Sequence, residues 1–191
     1  MRAFGSPHRG IRLPVGRSRL HPTNLESMHT RVIRLRHGRL ALVRPLRNGD
    51  VETVAAVFER LGERSRSRRF NGPKPRLSQA ELELLAAVDV NRHVLVASLA
   101  RDDRPVAIAR LVRDGASAEI AFEVADEYQR LGVGSALTAA LLADARAAGI
   151  AEVTALVASD NRPAMSLLRR LLGKLEVAFE GPELSVRAAL A

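Results

Sequence analysis

The sequence predicts an α/β (α+β) domain, a mixed central sheet of about six to seven strands with helices on both faces. Three observations carry that expectation. Strand-like segments at 93–100, 106–112 and 118–125 follow one another through short turns, and because a parallel pairing needs a long crossover, these three must be antiparallel. The alanine- and leucine-rich run after Gly134 has helical spacing at Leu137, Leu141, Ala145 and Ala148 and supplies such a crossover. The next strand, 152–157, should therefore lie parallel to residues 118–125 or next to them.

Taken in order, Leu40-Ala-Leu-Val-Arg-Pro45 reads as a strand ended by proline, and Asn48-Gly-Asp50 as a turn carrying an N-cap. Val51, Val54, Ala55, Phe58 and Leu61 share one helical face. Residues 63–70 form a charged connection with room for a short helix, broken by Pro73 and Pro75. Ser78 and Glu81 make a capping box for a helix through Leu85. Asp102-Asp-Arg-Pro105 is a hairpin turn, and Asp114-Gly115 turns the chain into the strand at 118. A last helix, 161–172, ends at Gly173, and 175–179 and 184–189 close the sheet through Gly181-Pro182.

Composition narrows the function. The apolar share is 47% and no uninterrupted apolar run is long enough to span a bilayer, so no membrane partner is expected. With no cysteine there are no disulfides or thiolate nucleophiles, which fits a cytoplasmic location. The net charge of +9 is concentrated at one end: residues 1–39 hold nine arginines and one acidic residue, residues 40–191 hold 21 basic and 20 acidic. Residues 1–38 are therefore expected to be a basic, disordered arm, with Met28 available as an internal start, and 39–191 the folded domain. Because the folded part is close to neutral, nucleic acid is not the expected partner. Twenty-eight of the thirty basic residues are arginine, a skew of composition that assigns no role to individual surface arginines.

The stretch from Ala118 to Ser135 organises the rest. Glu119, Ala121 and Glu123 fall on one side of a half-buried strand. Gly132 and Gly134 then sit where strand hands over to helix, where unpaired amides and the helix dipole favour an anion, above all phosphate. A P-loop is excluded, since Ser135 follows Gly134 with no lysine between. A dinucleotide fingerprint is excluded by Leu137, which stands where a third small residue is needed.

Gln129-Arg-Leu-Gly132-Val-Gly134 resembles the acyl-CoA loop of the GNAT superfamily of N-acetyltransferases, Gln/Arg-x-x-Gly-x-Gly/Ala, at each fixed position. Asn161-Arg-Pro-Ala164-Met-Ser-Leu167-Leu168 resembles the superfamily's Asn-x-x-Ala-x-x-Leu-Tyr segment, and the element order agrees from Leu40 onward. Arg44 to Asp50, Phe58 to Leu61, Arg69-Phe70 and Leu77 to Ala97 look like the GNAT domain of bacterial protein lysine acetyltransferases. The resemblance implies acetyl-CoA as co-substrate, held by Val124, Gln129, Arg130, Leu131, Gly132, Val133, Gly134, Ser135 and Asn161. It also implies transfer of an acetyl group to a primary amine, with a protein lysine preferred over a small amine such as a polyamine, amino acid or antibiotic. An acidic acceptor cleft would favour lysine or polyamine over an amino acid. A non-catalytic acyl-CoA-binding module is the rival of a different class, and the oligomeric state is open.

A lysine ammonium must lose its proton near pH 7 at a cost of roughly 4.6 kcal/mol, which calls for a base. Glu119 stands where the resembling acetyltransferases carry their catalytic glutamate, with Glu123 in reserve. The departing thiol, with a pKa of about 8.5, needs only about 2 kcal/mol of help. Leu168 replaces the tyrosine that protonates the thiolate in many relatives, and Tyr128, the only tyrosine, is a packing or surface residue. His93, a lone histidine at a strand edge, is expected to be structural, and no His, Asp or Glu cluster has metal-ligand spacing, so no metal is expected.

Overall fold

The computed structural model describes residues 30–99 and 103–190. Most of the basic arm, Asp102 of the hairpin turn and Ala191 lie outside the described residues. The strands are β1 (Arg31–Arg34), β2 (Leu40–Pro45), β3 (Arg92–Leu99), β4 (Pro105–Asp114), β5 (Ser117–Val124), β6 (Glu152–Ala158), β7 (Glu176–Glu180) and β8 (Glu183–Ala189). The helices are α1 (Val51–Glu59), α2 (Glu63–Phe70), α3 (Gln79–Ala86), α4 (Val133–Ala147) and α5 (Arg162–Leu172). The strands form one sheet in the order β1-β2-β3-β4-β5-β6-β8-β7, antiparallel except between β5 and β6.

Eight strands replace the expected six or seven, and the added one is β1. Residues 31–38, read from sequence as part of the arm, form this strand and a short 3-10 turn, Arg36–Gly38. Four residues flanked by arginines carry no periodic signal; tertiary partners make the strand. β1 pairs with β2 from Arg31↔Val43 to Arg34↔Leu40, and Arg31 donates to the Asp144 carboxylate of α4. Asp144 also faces His93 Nε2 at 3.0 Å. Both are 3% exposed, so His93 is a buried structural residue on an interior strand and not, as expected, at an edge.

Period-two alternation in the central strands builds two cores. Val94, Val96 and Ile108 pack with Val54, Val57 and Leu85 of α1 and α3. Leu95, Ala109 and Ile120 point the other way, onto Leu137 and Leu141 of α4, and the same core takes in Ala164 and Leu168 of α5. Strands covered on both faces read as continuous apolar runs, as β3 does. Helix starts follow their sequence signals. Asp50 accepts from Thr53 N at 3.0 Å, and the Ser78–Glu81 capping box is complete. The α2 segment, ERSRSRRF, buries no residue and lies against β5 and β6.

Candidate active site

The site begins where the sheet stops being a sheet. β5 and β6 pair only at Ser117↔Glu152, Ala118↔Val153 and Glu119↔Thr154, although β5 runs to Val124 and β6 to Ala158. Beyond Glu119 the strands part, leaving backbone groups on two facing edges without a ladder; such edges can pair with the amides of a ligand. The cleft so opened has a volume of about 1250 Å³. Ile120 to Val124 and Ala155 to Val157 line it, together with the α2 arginines Arg64, Arg68 and Arg69 and the glycine loop. That exceeds the usual small-ligand pocket and suits a long, extended molecule.

The loop is shaped by two residues with positive φ, Arg130 (61°) and Gly132 (92°), the second serving as N-cap of α4. A left-handed N-cap with no side-chain acceptor leaves the first amides of α4 without a cap, and no acidic residue stands in the first turn. Gly134 is needed for closeness: a Cβ there would lie 3.1 Å from Val124 Cγ2 and 3.7 Å from Leu167 Cδ1. The pair therefore keeps backbone bare where β5, α4 and α5 converge, which fits the cradle that a diphosphate requires.

The other loop residues play different parts. Gln129 Nε2 lies 3.1 Å from Val124 O, 3.1 Å from Asp126 Oδ1 and 3.2 Å from Ser65 Oγ, so this exposed amide nitrogen is engaged by the protein's own acceptors and ties the end of β5 to α2. Gly62 fits the same junction, since a Cβ there would meet Asp126 Oδ2 at 2.5 Å. Leu131 packs on the core and its carbonyl accepts from Arg36 N at 3.2 Å. Val133 is 1% exposed, which leaves only its amide to offer. Ser135 Oγ accepts from Arg170, and Asn161 Oδ1 caps α5 by accepting from Ala164 N at 3.3 Å. Gly132, Gly134, Ser135, Arg130, Gln129, Val124 and Asn161 all line the cleft.

The two acidic residues of β5 have opposite surroundings. Glu123 Oε2 accepts from Arg69 Nε at 2.5 Å and Oε1 from Arg110 Nη2 at 2.9 Å, while Arg110 Nη1 also donates to Leu85 O at 3.0 Å. Burial pushes the Glu123 carboxyl up, but Arg110 and Arg69 together outweigh it and hold the group below the ordinary carboxylate range. Glu123 is thus a fixed anion between two cations and is not available as a base. Glu119 makes no side-chain hydrogen bond or salt bridge with any described residue. It is half-buried at the fork of β5 and β6, one residue beyond the cleft lining. Burial pushes its carboxyl above the usual value, and Arg69 pulls it back only in part.

Sequence reasoning missed the arginines. Arg69 and Arg110 fix Glu123, Arg64 and Arg68 of α2 grip Asp160, and Arg36 and Arg170 flank the glycine loop. Nothing in the sequence separated these six from the twenty-two others of the same type. Leu168 is fully buried, and its neighbour Leu167 lines the cleft in its place. Tyr128 packs on the core with Arg60 6.0 Å from its ring and is not part of the lining. Among the described residues no group of three or more His, Asp or Glu could hold a metal, and no helix is long and apolar enough to cross a membrane.

The splayed parallel pair and the glycine loop opening a helix are the features of an acyltransferase of the α/β class. The chain belongs to the Acetyltransferase (GNAT) family, whose profile matches residues 59–173. It is 34% identical over 143 residues to Acetyltransferase Pat of Mycolicibacterium smegmatis, covering 73% of this chain and 43% of that protein. It is 32% identical over 130 residues to Acetyltransferase PA5475 of Pseudomonas aeruginosa, covering 65% of this chain and 70% of that one. The chain thus spans less than half the length of the Mycolicibacterium relative. Among solved structures, the GNAT domain of S. lividans PAT superposes with a TM-score of 0.77 at 28% identity, covering 89% of this chain and 99% of that domain. A cAMP-binding acyltransferase from Mycobacterium smegmatis gives 0.61 at 28%, covering 85% and 48%.

Proposed function

We propose that this acetyltransferase takes its acetyl group from acetyl-CoA and delivers it to a primary amine, with a protein lysine as acceptor and Glu119 as general base. The carrying observation is Glu119 itself, a half-buried carboxylate at the fork of β5 and β6, without a side-chain partner among the described residues and raised in pKa by burial. The donor reading rests on the bare glycine loop and on the length of the cleft beside it. Bound acetyl-CoA supplies an activated thioester whose carbonyl is open to attack by a neutral amine. The residues 129–135 and Asn161 hold the donor, and the parted edges of β5 and β6 accept its extended arm. Glu119, directly or through one water, takes the ammonium proton, the step that costs roughly 4.6 kcal/mol near neutrality. With leucine at 168, water returns a proton to the departing thiolate, the cheaper of the two transfers.

The lysine acceptor rests on the likeness of residues 44–97 to bacterial protein lysine acetyltransferases. Two of the acidic residues lining the cleft, Asp160 and Glu123, are neutralised by Arg64, Arg68 and Arg69 of α2, so the described residues do not make the acidic cleft that would mark a lysine or polyamine. The second reading is a small amine such as a polyamine, amino acid or antibiotic. Incubating the protein and acetyl-CoA with a cell lysate and with a panel of small amines, followed by mass spectrometry, decides among them. Acetyl-lysine in proteins supports the first reading and a single acetylated small amine the second. No product, with coenzyme A still bound, indicates a binding module and overturns both.

A further inference from the structure

We propose that Arg36, on the turn between β1 and β2, binds the ribose 3′-phosphate of coenzyme A and makes the site select coenzyme A over its 3′-dephospho form. This rests on the acetyl-CoA reading above and adds a ligand from a segment outside the part of the chain that the family profile covers.

The two glycines set the direction of the ligand. The missing Cβ of Gly134 faces Val124 and Leu167, the side of the parted strands. The missing Cβ of Gly132 faces Arg36 instead, 3.6 Å from its Cγ and 3.7 Å from its backbone nitrogen. A molecule whose diphosphate rests on the amides between them, with its acyl arm in the cleft, therefore has its nucleotide end beside Arg36.

Arg36 is held there although its side chain is exposed. Its amide donates to Leu131 O at 3.2 Å, and the preceding Leu35 is buried in the core. At the far end of the same hairpin, Arg31 is tied to Asp144 of α4. The turn is thus fixed to both ends of the helix that carries the loop.

Charge supplies the second argument. The α2 arginines of the cleft already have carboxylate partners. Arg36, Arg130, Arg162 and Arg170 line the same cleft and have no acidic partner among the described residues. Coenzyme A brings a diphosphate and a monoester phosphate, about four negative charges. The loop amides and the helix end serve the diphosphate, and Arg170 sits over that end through Ser135. The monoester is left needing a cation of its own on the Gly132 side, and a guanidinium matches it in a bidentate fashion.

Isothermal titration of the full chain with coenzyme A and with 3′-dephospho-coenzyme A tests this, using wild type, Arg36→Gln and Arg36→Lys. Wild type should prefer coenzyme A by roughly tenfold, as a charge-assisted contact at a partly exposed site provides. Arg36→Gln should remove most of that preference by weakening coenzyme A alone, and Arg36→Lys should restore part of it. Equal affinity of wild type for the two nucleotides, or an equal loss of both in Arg36→Gln, overturns the assignment while leaving the acetyl-CoA reading intact. Failure of both to bind wild type sinks the donor reading as well.

Discussion

Arg68 and Asp160 meet across the cleft: the arginine's Nη2 lies 2.8 Å from a carboxylate oxygen and 2.9 Å from the backbone oxygen of the same residue, with Nε at 3.1 Å from the other carboxylate oxygen. One guanidinium thus ties α2 to the loop between β6 and α5, on either side of the parted strands. Arg64 adds a second donor at 3.3 Å, and together they hold the Asp160 carboxyl below its ordinary range.

Arg68→Ala should release α2 from that loop. The expected result is several-fold faster dissociation of coenzyme A with little change in its association rate, read by stopped-flow displacement. Because Asp160 is exposed, raising salt should move the wild type in the same direction.

Glu119→Gln should lower kcat/KM about 10²- to 10⁴-fold while coenzyme A affinity stays unchanged by titration calorimetry. The wild-type pH–rate profile should have an acid limb set by Glu119, lying above the ordinary glutamate value because its carboxyl is raised. Stability moves the other way. A carboxyl raised in the folded state binds its proton more tightly there, so its ionised form opposes folding above that folded pKa. Glu119→Gln should therefore melt no lower than wild type at pH 7, which a merely structural glutamate would not do.

Glu123→Ala should cost about 3–5 kcal/mol in a denaturant titration, because it strands Arg110, whose side chain is 9% exposed. The carboxyl of Glu123 is lowered in the folded state, so its contribution is present above the unfolded pKa of about 4.3 and is lost as pH falls through the folded value. The gap between wild type and Glu123→Ala should narrow on acidification.

Gly134→Leu should abolish coenzyme A binding, since a side chain there enters the space between Val124 and Leu167. Gly132→Ala should instead cost about 1–3 kcal/mol of stability, because φ of 92° is foreign to a residue with a Cβ. Calorimetric titration and thermal melting together separate the two effects.

Ser78→Ala should cost about 1 kcal/mol, through the loss of the cap on α3. Glu81, the partner in that box, is held at a pKa of about 2 by its bond from Lys74 and by the Ser78 amide. Its stabilisation should persist to pH 4.5 and fade towards pH 2, visible in a pH series of melts.

Local sequence by itself determined seven of the eight strands, the caps at Asp50 and Ser78, and the strand-to-helix position of Gly132 and Gly134. Those features are written in short-range periodicity and in residues whose backbone preferences act within a turn. The family resemblance put Glu119 first as base and Glu123 in reserve, but the difference in their surroundings was out of reach: both occupy one face of β5, and those surroundings come from α2 and β4, distant in the chain. Tertiary structure alone decided that β1 is a strand, that β5 and β6 part after Glu119, and which arginines carry weight. The physical reason is common to all three. A strand's partner, the end of a ladder and the charge beside a side chain are set by residues far apart in sequence, and no periodicity along the chain records them.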